Sequence, residues 1–285
     1  MTYLHPSIPA QAYLRSLGVL LTTLALCALF AGTGTAATLK LGGSGSALET
    51  MRLLGEEYAK THPDVTVTVV PNLGSSGGIK AALSGALDIG LSSRPLKDEE
   101  KTQGATAMEY GRTPFVFVTR QHLKSGNYTV DQLARFYAGE IQTWPDGTPV
   151  RLVLRPETDS DTNLVKAMSP AMNKAMAAAH ARPGMNVAVT DQDGADAQEK
   201  TPGSLGTSTL ALILAEQRKL TVLNLNGVKP AVKAVADGSY PYYKTQFLVL
   251  GPKASPVARD FADFVRLPAA ARVLEETGHW VASPK

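Results

Sequence analysis

"VTVTVVPNLGSSGGIKAAL" (residues 65–83) decides how this chain is read. Valines 65, 67, 69 and 70 alternate with threonine in a β-branched run, the signature of a strand. Pro71 and Asn72 break it, a Gly/Ser loop follows, and Ile79, Ala82 and Leu83 return at helical spacing. A strand that passes through such a loop into a helix is a common oxyanion holder. The first N–H groups of the helix lack partners and its dipole is positive there. A nucleotide phosphate, an enzyme's substrate and a free ion all fit a loop of this kind.

Strands and helices alternate along the rest of the chain. "ATLKLGG" reads as a strand, and the helix after it places Leu48, Met51, Leu54 and Tyr58 on one face. "LDIGLSS", "TPFVFVTR", "VRLVLRP" and "QFLVLGP" read as further strands, "TVDQLARFYAGE" and "DTNLVKAMS" as helices. "KTPGSLGTSTLALILAEQR" reads as a turn running into an apolar helix, and two helices with Pro near their starts close the chain. This order predicts an α/β fold with a largely parallel sheet. The strands at 115–119 and 247–250 are the expected crossings between two lobes.

Two more loops repeat the opening pattern. "LKLGGSGSALETM" carries loop 42–46 and "VRLVLRPETDSDTNLVKAM" carries loop 155–162. Each places Ser or Thr just before a helix, where hydroxyls add rotatable donors. Any one of them is equally a helix cap: Ser46 with Glu49 fits a capping box, and Ser160 or Thr162 could cap its helix. Three such loops after strands would gather at one sheet edge, bringing Ser46, Ser75 and Ser160 together. Arg155 and Arg94 each end a strand beside these loops, and a guanidinium pairs an oxyanion bidentately. Arg94 could instead pair with Asp98 or Glu99.

Several chemistries find no support. G-x-x-x-x-G-K-[ST] and G-x-G-x-x-G are absent, so a nucleotide is disfavoured. His62, His122, His180 and His279 lie far apart in surface-like contexts, with no metal-ligand spacing. Asp88 and Asp161 make no evident acid/base pair. Neither an enzyme, a metal site nor a cofactor is expected. The formal charge of +3 is spread thinly, which argues against nucleic acid.

Residues 1–37 read as a cleavable secretory signal. Arg15 is the only Lys or Arg there, 17–30 is almost wholly apolar, and "AGTGTAA" follows, with cleavage expected after Ala36 or Ala37. The apolar run is short for a membrane span. Cys27 is the only cysteine and follows Leu26 rather than a small residue, which disfavours lipid anchoring there. A periplasmic chain without cysteine would follow.

"GGSGSA", "GSSGGIKAALSGALDIGLSSRPLKDEE", "FYAGEIQTWPDG", "RPETDSDT" and "TPGSLG", in that order, resemble the phosphate-binding proteins of bacterial ABC transporters (PstS-like). The resemblance spans roughly 39–283. It implies a type II periplasmic binding fold: two lobes, each a sheet flanked by helices, joined by two crossing strands as a hinge. Lobe one would be 38–117 and 246–285, lobe two 118–245. Phosphate would sit between the lobes of a monomer that delivers it to a membrane permease. The implied contacts are Ser46, the N–H of Ala47, Ser75, Arg155, Ser160, the backbone at Asp161, and Thr162. The better-known members place Asp where this chain has Ser93, and that Asp accepts the proton of phosphate and repels sulfate. Ser93, Arg94 and Asp161 are therefore the expected sites of anion choice. The third loop reads Ser-Asp-Thr for the usual Ser-Gly-Thr, with one extra residue after Arg155. A sensor for another anion and an exported phosphoesterase are the alternatives.

Overall fold

The valines of the opening stretch form β2 (Val65–Val70), and its loop leads into a helix at Gly74–Ser84 as the spacing predicts. The structure, a computed structural model, describes residues 36–121 and 126–281. Cys27, His122 and nearly all of the candidate leader lie outside the described residues.

In chain order, the first stretch is β1 (Ala37–Gly43), α1 (Gly45–Ala59), β2, α2 (Gly74–Ser84), β3 (Ile89–Ser92), α3 (Asp98–Thr102) and β4 (Thr106–Arg120). The middle holds β5 (Asn127–Tyr128), α4 (Val130–Ala138), β6 (Arg151–Leu154), α5 (Ser160–Ala167), α6 (Pro170–Ala181), β7 (Asn186–Val187), α7 (Asp191–Lys200), β8 (Ser204–Thr209), α8 (Leu210–Ala215), β9 (Leu220–Val222), β10 (Asn224–Leu225) and α9 (Val232–Ala236). The chain closes with β11 (Tyr243–Leu250), α10 (Pro256–Phe264) and α11 (Pro268–Glu276).

One sheet runs in the order β2-β1-β3-β11-β4-β8-β6-β7, with β9 also on β4. β1 and β3 are parallel, as are β6 with β7 and with β8. β11 is antiparallel to both β3 and β4, so the sheet is mixed. β4 spans the whole assembly. Its residues 106–114 pair with β11, and 115–118 pair with β8 on the far half. The expected crossing at 247–250 is displaced: Phe247, Leu248 and Val249 pair with β3 and β4 inside the first half. The halves meet instead where Tyr243 faces Pro114 and the Phe115 amide bonds the Tyr242 carbonyl at 3.0 Å.

The segment expected as a turn into a helix contains a full strand. All six residues of β8 are buried between β4 and β6, so it shows no alternation, and only the short α8 follows.

Each half has its own apolar filling. In the first, Leu48, Met51, Leu54 and Tyr58 of α1 are buried as their spacing predicts, and Phe261 of α10 meets the Tyr58 ring edge-on. In the second, Tyr137 of α4 packs on Phe117 within a core that also holds Phe115 and residues of α6, and the buried Trp144 donates to the Gly203 carbonyl at 3.0 Å. Each fully buried side chain of this size contributes about 1.5–3 kcal/mol. One histidine departs from expectation: His279 is fully buried, and burial pushes its pKa down to about 4, which keeps it neutral.

Candidate functional site

The strand-to-helix turns meet at one cavity of about 530 Å³. Gly43 and Gly45 at the start of α1, residues 72–76 at the start of α2, Ser93 and Arg94 after β3, and Ser160 at the start of α5 all line it. Arg155 and Asp159 line it after β6, with Thr190, Asp191 and Gln192 at the start of α7. Helix N-termini from both halves of the sheet therefore aim their amides and dipoles at one space.

Glycine makes this approach feasible. A Cβ on Gly78 would lie 2.6 Å from the Gly42 carbonyl oxygen and the Gly43 Cα, so α2 rests directly on β1. Gly43 itself has φ of 148°, and a Cβ there would collide with the Leu91 carbonyl.

Of the sequence-predicted residues, Ser75, Ser93, Arg94, Arg155 and Ser160 reach the cavity wall. Ser75 Oγ accepts the Ser93 amide at 3.0 Å, which leaves its own proton free to donate. Ser46 is buried behind the wall. Its hydroxyl lies 3.0 Å from Ser44 Oγ and 3.2 Å from Ser93 Oγ, and it accepts from Gln246 Nε2 at 3.1 Å. Ser93 donates to Gln246 Oε1 at 3.1 Å, closing a buried polar ring. The Ala47 N–H donates to the Ser44 carbonyl, and Ala47 is fully buried. Ser46 starts no capping box: Glu49 bonds Arg52 instead.

The two arginines differ. Arg94 is clamped by Glu100, at 2.9 and 2.6 Å, and also donates to Ser76 Oγ. This hydrogen-bonded guanidinium holds the Glu100 carboxyl below the usual carboxylate range. The partner is Glu100 rather than Asp98 or Glu99, because Glu100 faces back at the third position of α3. Arg155 is 7 % exposed and donates to the Ala188 carbonyl at 2.8 Å and to Asp159 Oδ2 at 3.0 Å, with Asp191 Oδ1 3.5 Å away. Its Nε is buried without a protein partner.

Asp161 and Thr162 turn away from the cavity. Thr162 Oγ1 donates to the Arg155 carbonyl, and Asp159 caps α5 in place of Ser160 or Thr162. Asp161 is buried and pairs with Lys244 of β11, with Thr207 Oγ1 at 3.5 Å. Burial pushes the Asp161 pKa up to about 6, and Asp191 and Asp159 push the same way against the field of Lys244. Lys244 is held charged: burial opposes its charge, but Asp161, Asp191 and Asp159 outweigh it. Asp161 thus supports the loop from behind rather than presenting a carboxylate to the cleft.

Sequence reasoning missed Ser44, Asp159, Asp191, Lys244 and Gln246. Lys244 and Gln246 share one face of β11 at strand spacing, the first reaching Asp161 and the second Ser46 and Ser93. Thr190 to Asp193 forms a capping box, a pattern that marks the start of α7 and so of Asp191. Among the described residues no cluster of three or more His, Cys, Asp or Glu side chains could hold a metal ion.

A family model described as the PBP superfamily domain matches residues 30–266. The chain belongs to the PBP superfamily. Within it, the PstS-like resemblance read from the loops holds. The phosphate-binding protein PstS of Bacillus subtilis (strain 168) is 23% identical over 237 residues, covering 80% of this chain and 75% of that protein. The phosphate-binding protein PstS of Borreliella burgdorferi is 25% identical over 248 residues, covering 84% and 88%. Among solved structures, a putative phosphate ABC transporter substrate-binding protein with bound phosphate from Clostridium perfringens superposes with a TM-score of 0.73. It is 18% identical and covers 86% of this chain and all of its own. The two-lobed PBP architecture is therefore the fold of this chain.

Proposed function

We propose that this PBP-superfamily chain is an exported solute-binding protein that captures inorganic phosphate in the cleft and delivers it to an ABC permease. The observation that carries this reading is the convergence of Ser75, Ser93, Arg155 and Ser160, with several helix N-termini, on one cavity. Two relatives named phosphate-binding proteins and a phosphate-bound structural neighbour support phosphate among oxyanions. The proposed contact set is Ser75, Ser93, Arg155 and Ser160, with the Ser46 amide behind them. Ala47, Asp161 and Thr162 act as supports. Arg94 is held at the rim by its ion pair with Glu100.

Charge-assisted hydrogen bonds contribute about 1.5–3 kcal/mol each. A few of them, after ordering costs, suffice for about −8 kcal/mol, which is micromolar affinity. We take the lobes as 38–117 with 246–285, and 118–245, hinged where β4 passes between the half-sheets. The protein acts as a monomer after loss of a leader cleaved near Ala36 or Ala37.

Isothermal titration with phosphate, arsenate, sulfate and molybdate tests the reading. Saturable binding of phosphate is expected, with arsenate close behind. No heat with any tetrahedral oxyanion would overturn it.

A further inference from the structure

The seat that the first loop was expected to offer an oxyanion already holds a carboxylate of this chain. Asp191, the first residue of α7, reaches across to α1, 145 residues earlier. Its Oδ2 accepts the Ser46 amide at 3.0 Å. Its Oδ1 lies 3.5 Å from the Arg155 guanidinium. One carboxylate thus takes both anion-binding elements, the α1 N-terminus and Arg155.

The contact is built with little slack. A Cβ on Gly45 would lie 2.7 Å from Asp191 Oδ2 and 2.5 Å from Gln192 Oε1, so only glycine lets α7 come this close. Gln192 fixes the approach by donating to the Gly45 carbonyl at 3.0 Å and to Glu216 at 2.8 Å. Asp191 is 13 % exposed. Burial alone would disfavour its charge, but Lys244, Arg155 and the Ser46 amide outweigh burial and hold its carboxyl below the usual range. The charged groups facing it are Arg155 and Asp159 beside α5, Asp161 within α5 and Lys244 on β11.

We propose that Asp191 is a tethered pseudo-ligand: its carboxylate occupies the oxyanion seat, latches α7 to α1, and must exchange with the incoming anion. The inference rests on the oxyanion reading of the cleft. It makes Asp191 the residue that sets apparent affinity. A seat filled by its own side chain about nine-tenths of the time masks the intrinsic affinity about tenfold. It also means that the protein closes on itself before it meets phosphate.

Phosphate titrations of the purified protein, Asp191→Asn and Asp191→Ala at pH 7.5 decide the matter, with small-angle scattering of each before and after phosphate. Asp191→Ala is expected to bind phosphate about tenfold more tightly than the parent. Asp191→Asn, which keeps an acceptor for the Ser46 amide and guards against a folding defect in the alanine variant, is expected in between. Before phosphate, Asp191→Ala should be more extended than the parent and should contract on binding. Equal or weaker binding by both variants, with the parent binding normally, overturns the pseudo-ligand and leaves the function standing. No binding by the parent or by either variant overturns both.

Discussion

Lys244→Met should show how the floor of the cleft is held. Lys244 is almost fully buried and its one direct carboxylate partner is Asp161, also buried. Methionine keeps the length of the chain and removes the charge. Breaking a buried pair from one side costs about 3–5 kcal/mol, since the remaining charge is stranded. Asp161 has an escape, because it can take up a proton. Its pKa stands at about 6 with Lys244 beside it, raised chiefly by burial. Without Lys244 its largest opposing influence is gone, and values of about 8 are within the range of buried carboxyls. A folded-state pKa above the unfolded value means stability present at low pH and lost as pH rises through the folded pKa. In the parent that loss ends near pH 6; in the variant it continues to about pH 8. At about 1.4 kcal/mol per pH unit, the destabilisation should be about 2–3 kcal/mol larger at pH 8 than at pH 5. Urea unfolding of both proteins at the two pH values measures this. A destabilisation equal at both, or absent at pH 8, refutes the assignment of Asp161 as the group left stranded. Adding Asp161→Asn to Lys244→Met should recover most of the loss at pH 8.

Two further substitutions probe the cleft and its frame. Arg155→Ala removes the buried guanidinium and about two charge-assisted bonds to the ligand, so phosphate affinity should fall about 10²–10⁴-fold; calorimetry showing less than a tenfold change would remove Arg155 from the contact set. Gly78→Ala places a Cβ 2.6 Å from the Gly42 carbonyl and should cost about 1–3 kcal/mol in urea unfolding while weakening phosphate binding, because α2 is pushed off β1.

The α/β alternation and the three strand-loop-helix turns were legible because each carries a local signal: a β-branched run, a Gly/Ser break, then helical spacing. Ser75, Arg155 and Ser160 meeting at one cavity follows from that repetition, since successive turns share a sheet edge. The parts that were not legible depend on distant partners. β8 is buried throughout, so it has no period to betray it, and its sequence "SLGTST" mixes small and polar residues. Lys244 and Gln246 look like ordinary exposed positions of a strand until Asp161, Ser46 and Ser93 arrive from other segments. Asp161 resembled a cleft residue through its place in the loop, yet the start of α5 turns it inward to Lys244. Asp191 lies 145 positions from the amide it accepts, beyond the reach of any local pattern.

The proposed oxyanion seat is formed jointly by the helix N-termini and Arg155. Crystals grown with arsenate, a tetrahedral oxyanion with a usable anomalous signal, locate that seat directly. A single anomalous peak within hydrogen-bond distance of Ser75, Arg155 and Ser160 is the expected result. No peak in the cleft, or one anchored elsewhere on the surface, would contradict it.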